Sequence, residues 1–155
     1  MIRALARSAR VLAQAVRSPG DALLLLEIGA FIVWLPANVR RSDVPAFFRK
    51  MKVAPRPKAR KIEHSYDRIA RLRDACLSMP RLWRRDTCYI RAFTLYRFLD
   101  PGEHRVRVHF GIEQPQSKNE RLRGHAWVSI DGRVFEAPEA VHDGRIHEVP
   151  IDVAV

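Results

Sequence analysis

Near Gly102 the hydrophobic period of this chain changes from about 3.6 residues to two. Upstream, apolar side chains recur at helical spacing. In "SYDRIARLRDACLSM", Ile69, Leu72, Cys76 and Met79 fall on one stripe, which makes Cys76 a core residue. Asp86 or Thr87 supplies a cap for a second helix, reaching about Leu99, along which Cys88, Ala92, Leu95 and Leu99 recur. Downstream, "RVRVHFGI" alternates Val106, Val108, Phe110 and Ile112 with Arg105, Arg107 and His109, as in a half-buried strand. "EQPQSKNERLR" reads as a loop. "HAWVSI" and "RVFEA" are strands joined by Asp131-Gly132, a type I′ hairpin signal, and "IHEVPIDV" supplies one more short strand. Helices followed by an antiparallel sheet make an α+β domain.

The N-terminal third has a different character. A basic amphipathic helix is expected over about residues 2–17, broken by "SPGD". Asp21 then caps a second helix running to about Leu35, which Pro36 helps to end. A short helix near 43–51 and a Pro-rich basic linker, "KVAPRPKARK", follow. The expected division is a helical, basic extension and linker over 1–60 and the α+β domain over 61–155. Of the net charge of +11, residues 1–64 hold 13 basic and 4 acidic side chains, and residues 65–155 hold 15 and 13. Such a basic third suits an acidic partner or an anionic membrane surface. No zinc finger, aromatic RNA-binding signature or regular basic helix supports nucleic acid as that partner.

The apolar run from Ala22 to Leu35 has 14 residues and includes Glu27 and Gly29. Roughly 20 apolar residues are needed to span hydrocarbon, so the run is expected to stay on one side of a membrane. It starts late and no small-residue cleavage site follows, unlike a signal peptide. It reads as a buried or partner-facing helix, or as an interfacial one flanked by Arg17, Arg40 and Arg41. Two cysteines without a secretory signal point to a reduced compartment. The expected location is cytoplasmic, with peripheral contact at the inner membrane surface left open.

The chemistry lies in two stretches. "RRDTCYIRAF" places Cys88 in the first turn of its helix, where a positive helix end favours a thiolate. "GHAWVSIDGRVFEAPEA" carries the hairpin. With a two-residue turn, Ile130 pairs with Arg133, Ser129 with Val134, Val128 with Phe135 and Trp127 with Glu136. Glu136 is then a diagonal neighbour of His125, about 7–8 Å away along the backbone, and their side chains can meet. Asp131, at the tip, belongs to the turn. A thiol, an imidazole and a carboxylate that orients the imidazole form a nucleophile–base–orienter set. The first-turn N–H of Cys88 has no helical partner and is free to face an oxyanion.

Plainer readings stand beside these. Cys88 as core filler and His125 as a structural strand histidine are the alternatives to catalysis. Arg91 either orients a substrate or makes a salt bridge to Asp86 or Glu103. Trp127 forms the wall of a site or part of the core. A zinc site would need Cys88, His104, His109 and His125, which have no close-ligand spacing, so no metal or cofactor is expected. His64, His142 and His147 have no partner pattern and belong on the surface.

"TCYIRA" followed by "GHAWVSIDGRVFE" resembles the Cys and His motifs of the transglutaminase-like superfamily. It is most similar to the leader peptidases of lasso-peptide biosynthesis, with their C-x-x-R-A helix and H-A-W-V and D-G elements. The resemblance covers roughly residues 65–140, and the Leu-rich "LLLLEIGAFIVWLP" matches a helical segment of that family. It implies a papain-like core in which Cys88 is the nucleophile and His125 the general base and acid. The family's acid comes about a dozen residues after the histidine and is commonly Asp. Here the neighbourhood reads Phe135-Glu136-Ala137, which makes Glu136 the expected acid, one position early, with Glu139 and Asp143 behind it. The resemblance further implies removal of a leader from a ribosomally made precursor peptide. The partners would be a separate leader-recognition protein, because residues 1–64 hold no strand pair for a fused one, and a macrolactam-forming cyclase. The rival functions are an amidase or transamidase on another peptide and a non-catalytic binding module.

Overall fold

The computed structural model describes residues 11–39, 47, 65–79, 87–99, 105–113, 123–143 and 146–148. Their order is α1 (Pro19–Val39), α2 (Tyr66–Leu77), α3 (Cys88–Phe98), β1 (Val106–Glu113), β2 (Arg123–Ile130), β3 (Arg133–Phe135), α4 (Glu139–His142) and β4 (Ile146–Glu148). The strands form one antiparallel sheet ordered β3-β2-β1-β4. The expected α+β architecture is therefore the observed one. The expected helix near 43–51, apart from Phe47, and the linker over 52–61 lie outside the described residues.

The helices α1, α2 and α3 share a single core. Leu24, Ile28, Ile32 and Leu35 of α1 meet Ile69, Leu72 and Cys76 of α2 and Ile90, Phe93 and Leu95 of α3. The helices α1 and α2 are in contact at Gly29, where a Cβ would meet the Cys76 sulfur at an ordinary van der Waals distance of 3.7 Å. Burial raises the Cys76 thiol to about 12, as the stripe reading requires.

Helix α1 departs from expectation at both ends. Ser18, not Asp21, is the cap: its hydroxyl accepts the Asp21 N–H at 3.2 Å, and Pro19 takes the first helical position. The buried Asp21 carboxylate accepts the Arg17 N–H at 2.8 Å and pairs with Arg68 (2.7 Å) and Arg71 (3.3 Å) of α2. Burial alone would push this carboxyl up. The Arg17 N–H and the two guanidinium groups together outweigh it and hold the carboxyl below its usual range. At the other end the helix continues through Pro36 to Val39. Its 21 residues make it long and apolar enough to cross a membrane by length and composition. In this fold one face is instead buried against α2 and α3. The other face leaves Leu23, Leu26, Val33 and Trp34 exposed.

In the sheet, Val106, Val108, Phe110, Ala126, Val128 and Ile130 turn toward the helices. The hairpin turn has Asp131 at φ 51° and Gly132 at φ 82°, the two left-handed residues a type I′ turn demands. Asp131 also accepts the Arg105 N–H at 2.9 Å through its carboxylate and donates its own N–H to the Arg105 carbonyl at 3.1 Å. It ties β1 to the hairpin tip, away from the chemistry.

Candidate active site

Cys88 is the first residue of α3, and Thr87 before it is extended at φ −133°, ψ 154°. The helix therefore opens directly on the thiol, and the backbone N–H groups of its first turn project the same way. The Sγ donates to the Gly124 carbonyl at 3.9 Å, where β2 begins. Cys88, Arg91, His125, Trp127 and Glu136 all line one cleft of about 270 Å³. That is below the roughly 300 Å³ at which pockets begin to enclose a drug-sized ligand. An open cleft of this size suits a short length of extended chain.

Strand alternation divides β2. Ala126 and Val128 face the helices, whereas His125, Trp127 and Ser129 occupy the opposite face. The thiol and the imidazole thus line one cleft beside Gly124, at the start of β2. Each is bonded elsewhere at rest: Cys88 to Gly124, and His125 through Nε2 to Glu113 Oε2 at 3.1 Å. The His125 and Glu113 side chains are 20% and 18% exposed, so their contact is partly shielded from water.

Glu136 is placed differently from the sequence expectation. The hairpin ladder contains Ile130↔Arg133, Ser129↔Val134 and Val128↔Phe135 and stops there. The expected Trp127–Glu136 pair does not form, because Glu136 takes the left-handed φ of 53° and leaves the strand. Its carboxylate meets the fully buried Arg73 of α2 in a two-pronged pair, Nη1 to Oε2 at 2.7 Å and Nη2 to Oε1 at 2.5 Å. Tyr66 donates its hydroxyl to the same carboxylate at 3.1 Å. Burial and the Glu136 charge together push the Tyr66 phenol up to about 12. Arg73 also contacts Asp74, at 2.9 Å, and donates to the Arg91 carbonyl at 3.4 Å. The fallback acids Glu139 and Asp143 are exposed and do not line the cleft.

Arg91 pairs with Asp74 of α2 at 3.2 Å; the expected partners Asp86 and Glu103 lie outside the described residues. Trp127 is buried, stacks on His109 with ring centroids 5.6 Å apart, and walls the cleft. His109 is itself held by Glu148 at 2.5 Å and by Ser129 at 2.7 Å. Among the described residues no cluster of His, Cys, Asp and Glu could hold a metal ion.

Sequence reasoning missed Glu113 and Arg73. Arg73 had a signal, since it lies four residues after Ile69, inside the buried stripe of α2, where a guanidinium requires an acid. Glu113 had only its parity with His109 on β1; the register that places it beside His125 depends on strand pairing across the intervening loop.

The model of a family described as the transglutaminase-like superfamily matches residues 31–145, well over half of the chain. Neither the curated proteins nor the solved structures gave a match.

Proposed function

Because the chain belongs to the transglutaminase-like superfamily, which fits a cysteine peptidase or transamidase kind of function, we propose that it is a cysteine peptidase removing the leader from a lasso-peptide precursor. The observation that carries this reading is one cleft holding a helix-start thiol and a carboxylate-bonded imidazole. The motifs "TCYIRA" and "GHAWVSIDGRVFE" support the narrower substrate.

In the proposed reaction the Cys88 thiolate attacks the scissile carbonyl carbon, with its proton held on His125. The oxyanion is stabilised by first-turn N–H groups of α3. The tetrahedral intermediate collapses as His125 protonates the leaving amine, the C–N bond breaks and a thioester remains. His125 then deprotonates a water molecule, whose oxygen attacks the thioester, and loss of the C–S bond restores the thiolate. Arg91 and Trp127 flank the incoming chain. A separate leader-recognition protein and a macrolactam-forming cyclase are the proposed partners. The basic N-terminal third suits docking of partners, and the exposed face of α1 suits peripheral contact with a membrane on the cytoplasmic side.

Mass spectrometry of a precursor peptide incubated with the protein and a recognition protein tests the reading. A single cut by the wild type that disappears in Cys88→Ala is expected. A cut that persists in Cys88→Ala rules out the thiol mechanism. Hydroxylamine added to the mixture intercepts the acyl-enzyme. A product formed with added amines in preference to water would move the assignment from peptidase to transamidase.

A further inference from the structure

The cleft has a carboxylate on each flank, and only one of them touches the imidazole. Building on the reading of Cys88 and His125 as nucleophile and base, we infer that Glu113 is the positioning residue for His125 and that Glu136 is not.

The placement follows from strand register. Gly111 stands directly opposite His125, and Glu113 opposite Arg123. Glu113 is therefore a diagonal neighbour of His125 on the same face of the sheet, a separation that long side chains bridge. Glycine at 111 is part of the arrangement. A Cβ there would stand 3.0 Å from the Trp127 ring and 3.1 Å from the His147 carbonyl, and would strike Ile146. The bare backbone lets Trp127 and Ile146 close over this position beside the His125–Glu113 pair. Arg123, directly across from Glu113, gives the carboxylate a cross-strand neighbour of opposite charge.

Glu136 is committed to a different partner. Both its oxygens accept from Arg73, and one also accepts from Tyr66. An ionised carboxylate only accepts hydrogen bonds, so Glu113 requires the proton of the neutral His125 ring to sit on Nε2. The lone pair is then on Nδ1, which makes Nδ1 the basic nitrogen offered to the Cys88 thiol. Among the described residues, the other charged or titratable groups around the ring are Cys88 and Arg91 on α3, Glu136 past β3, Arg123 on β2, and Glu148 on β4 opposite Gly111.

The test needs no substrate. Cys76 is fully buried with its thiol near 12, so iodoacetamide labels the folded full-length chain at Cys88. The labelling rate is followed by mass spectrometry between about pH 5 and 9, the range spanning an ordinary imidazole and thiol. It is compared for wild type, His125→Ala, Glu113→Gln, Glu113→Asp and Glu136→Gln. The wild type should show a reactive arm at low pH that His125→Ala removes. Glu113→Gln should lower the rate on that arm on the order of tenfold, Glu113→Asp should restore part of it, and Glu136→Gln should keep the wild-type pH midpoint. Nitrogen-15 spectra of the wild-type imidazole supply a measurement independent of variant folding, and Nε2–H is the expected tautomer. An arm lost in Glu136→Gln but kept in Glu113→Gln, or a ring carrying Nδ1–H, overturns the assignment to Glu113. If His125→Ala labels as the wild type does, the Cys88–His125 reading itself fails, a distinct outcome.

Discussion

Glu113 and Glu136 flank β2 on opposite sides, one at the end of β1 and the other just past β3, and both carboxylates are hydrogen-bonded. Glu136 lies against a guanidinium with no exposed surface. Glu113 lies against an imidazole that still reaches solvent. A charge fully removed from water must have its counter-charge, so the first pair belongs to the fold. A partly hydrated pair costs little to break and leaves the ring free to exchange protons, so the second suits chemistry. The burial of the partner thus separates two pairs made by one residue type, a fully sequestered one at Glu136 and a more labile one at Glu113.

The contrast yields a ranked set of expectations. Glu136→Gln leaves Arg73 with only the half-exposed Asp74 as counter-charge, and should cost about 3 kcal/mol of stability. A thermal melt coinciding with that of the wild type would show that the Arg73 pair is not structural. Asp21→Asn tests a third carboxylate, as buried as Arg73 but set between two arginines. Its folded pKa is depressed, so its contribution is present above the unfolded value of about 4 and is lost as pH falls through the folded one. Urea midpoints at neutral and acid pH should therefore differ less in Asp21→Asn than in the wild type; an equal difference would remove Asp21 from the acid response. Glu113→Gln should change stability by less than about 1 kcal/mol while slowing Cys88 chemistry, the reverse of Glu136→Gln. If both variants lose stability equally, the contrast between the pairs disappears. Leu26→Gln, on the most exposed large hydrophobic residue of α1 at 70%, should leave the melt within about 0.5 kcal/mol of wild type. It should also reduce retention on anionic vesicles if that face contacts lipid.

Local chemistry was enough to read several elements from the chain. Asp131-Gly132 specifies a type I′ turn because both residues accept left-handed backbone, and the register as far as Phe135 follows from it. The stripe of Ile69, Leu72 and Cys76 predicts α2 because those side chains recur on one helical face. Cys88 at a helix start and His125 on the strand after the loop were legible for the same reason. "SPGD" holds two capping residues three positions apart, Ser18 and Asp21, and the helix starts from the first, with Pro19 at its first position. Pro36 does not end α1, which carries it in its last turn.

The rest was decided by contacts between segments distant in the chain. Glu136 leaves the ladder at the point where Arg73, 63 residues earlier, requires its charge, and no short-range pattern reports that demand. Arg91 finds Asp74 because α2 and α3 pack side by side. Glu113 meets His125 through the β1–β2 register, which is settled by burial of Val106, Val108 and Phe110 against Ala126, Val128 and Ile130. Residue types and their periodicity determined which groups could react. Which carboxylate reached the imidazole was left to tertiary packing, because burial assigns each charge its partner only once the helices and the sheet have closed together.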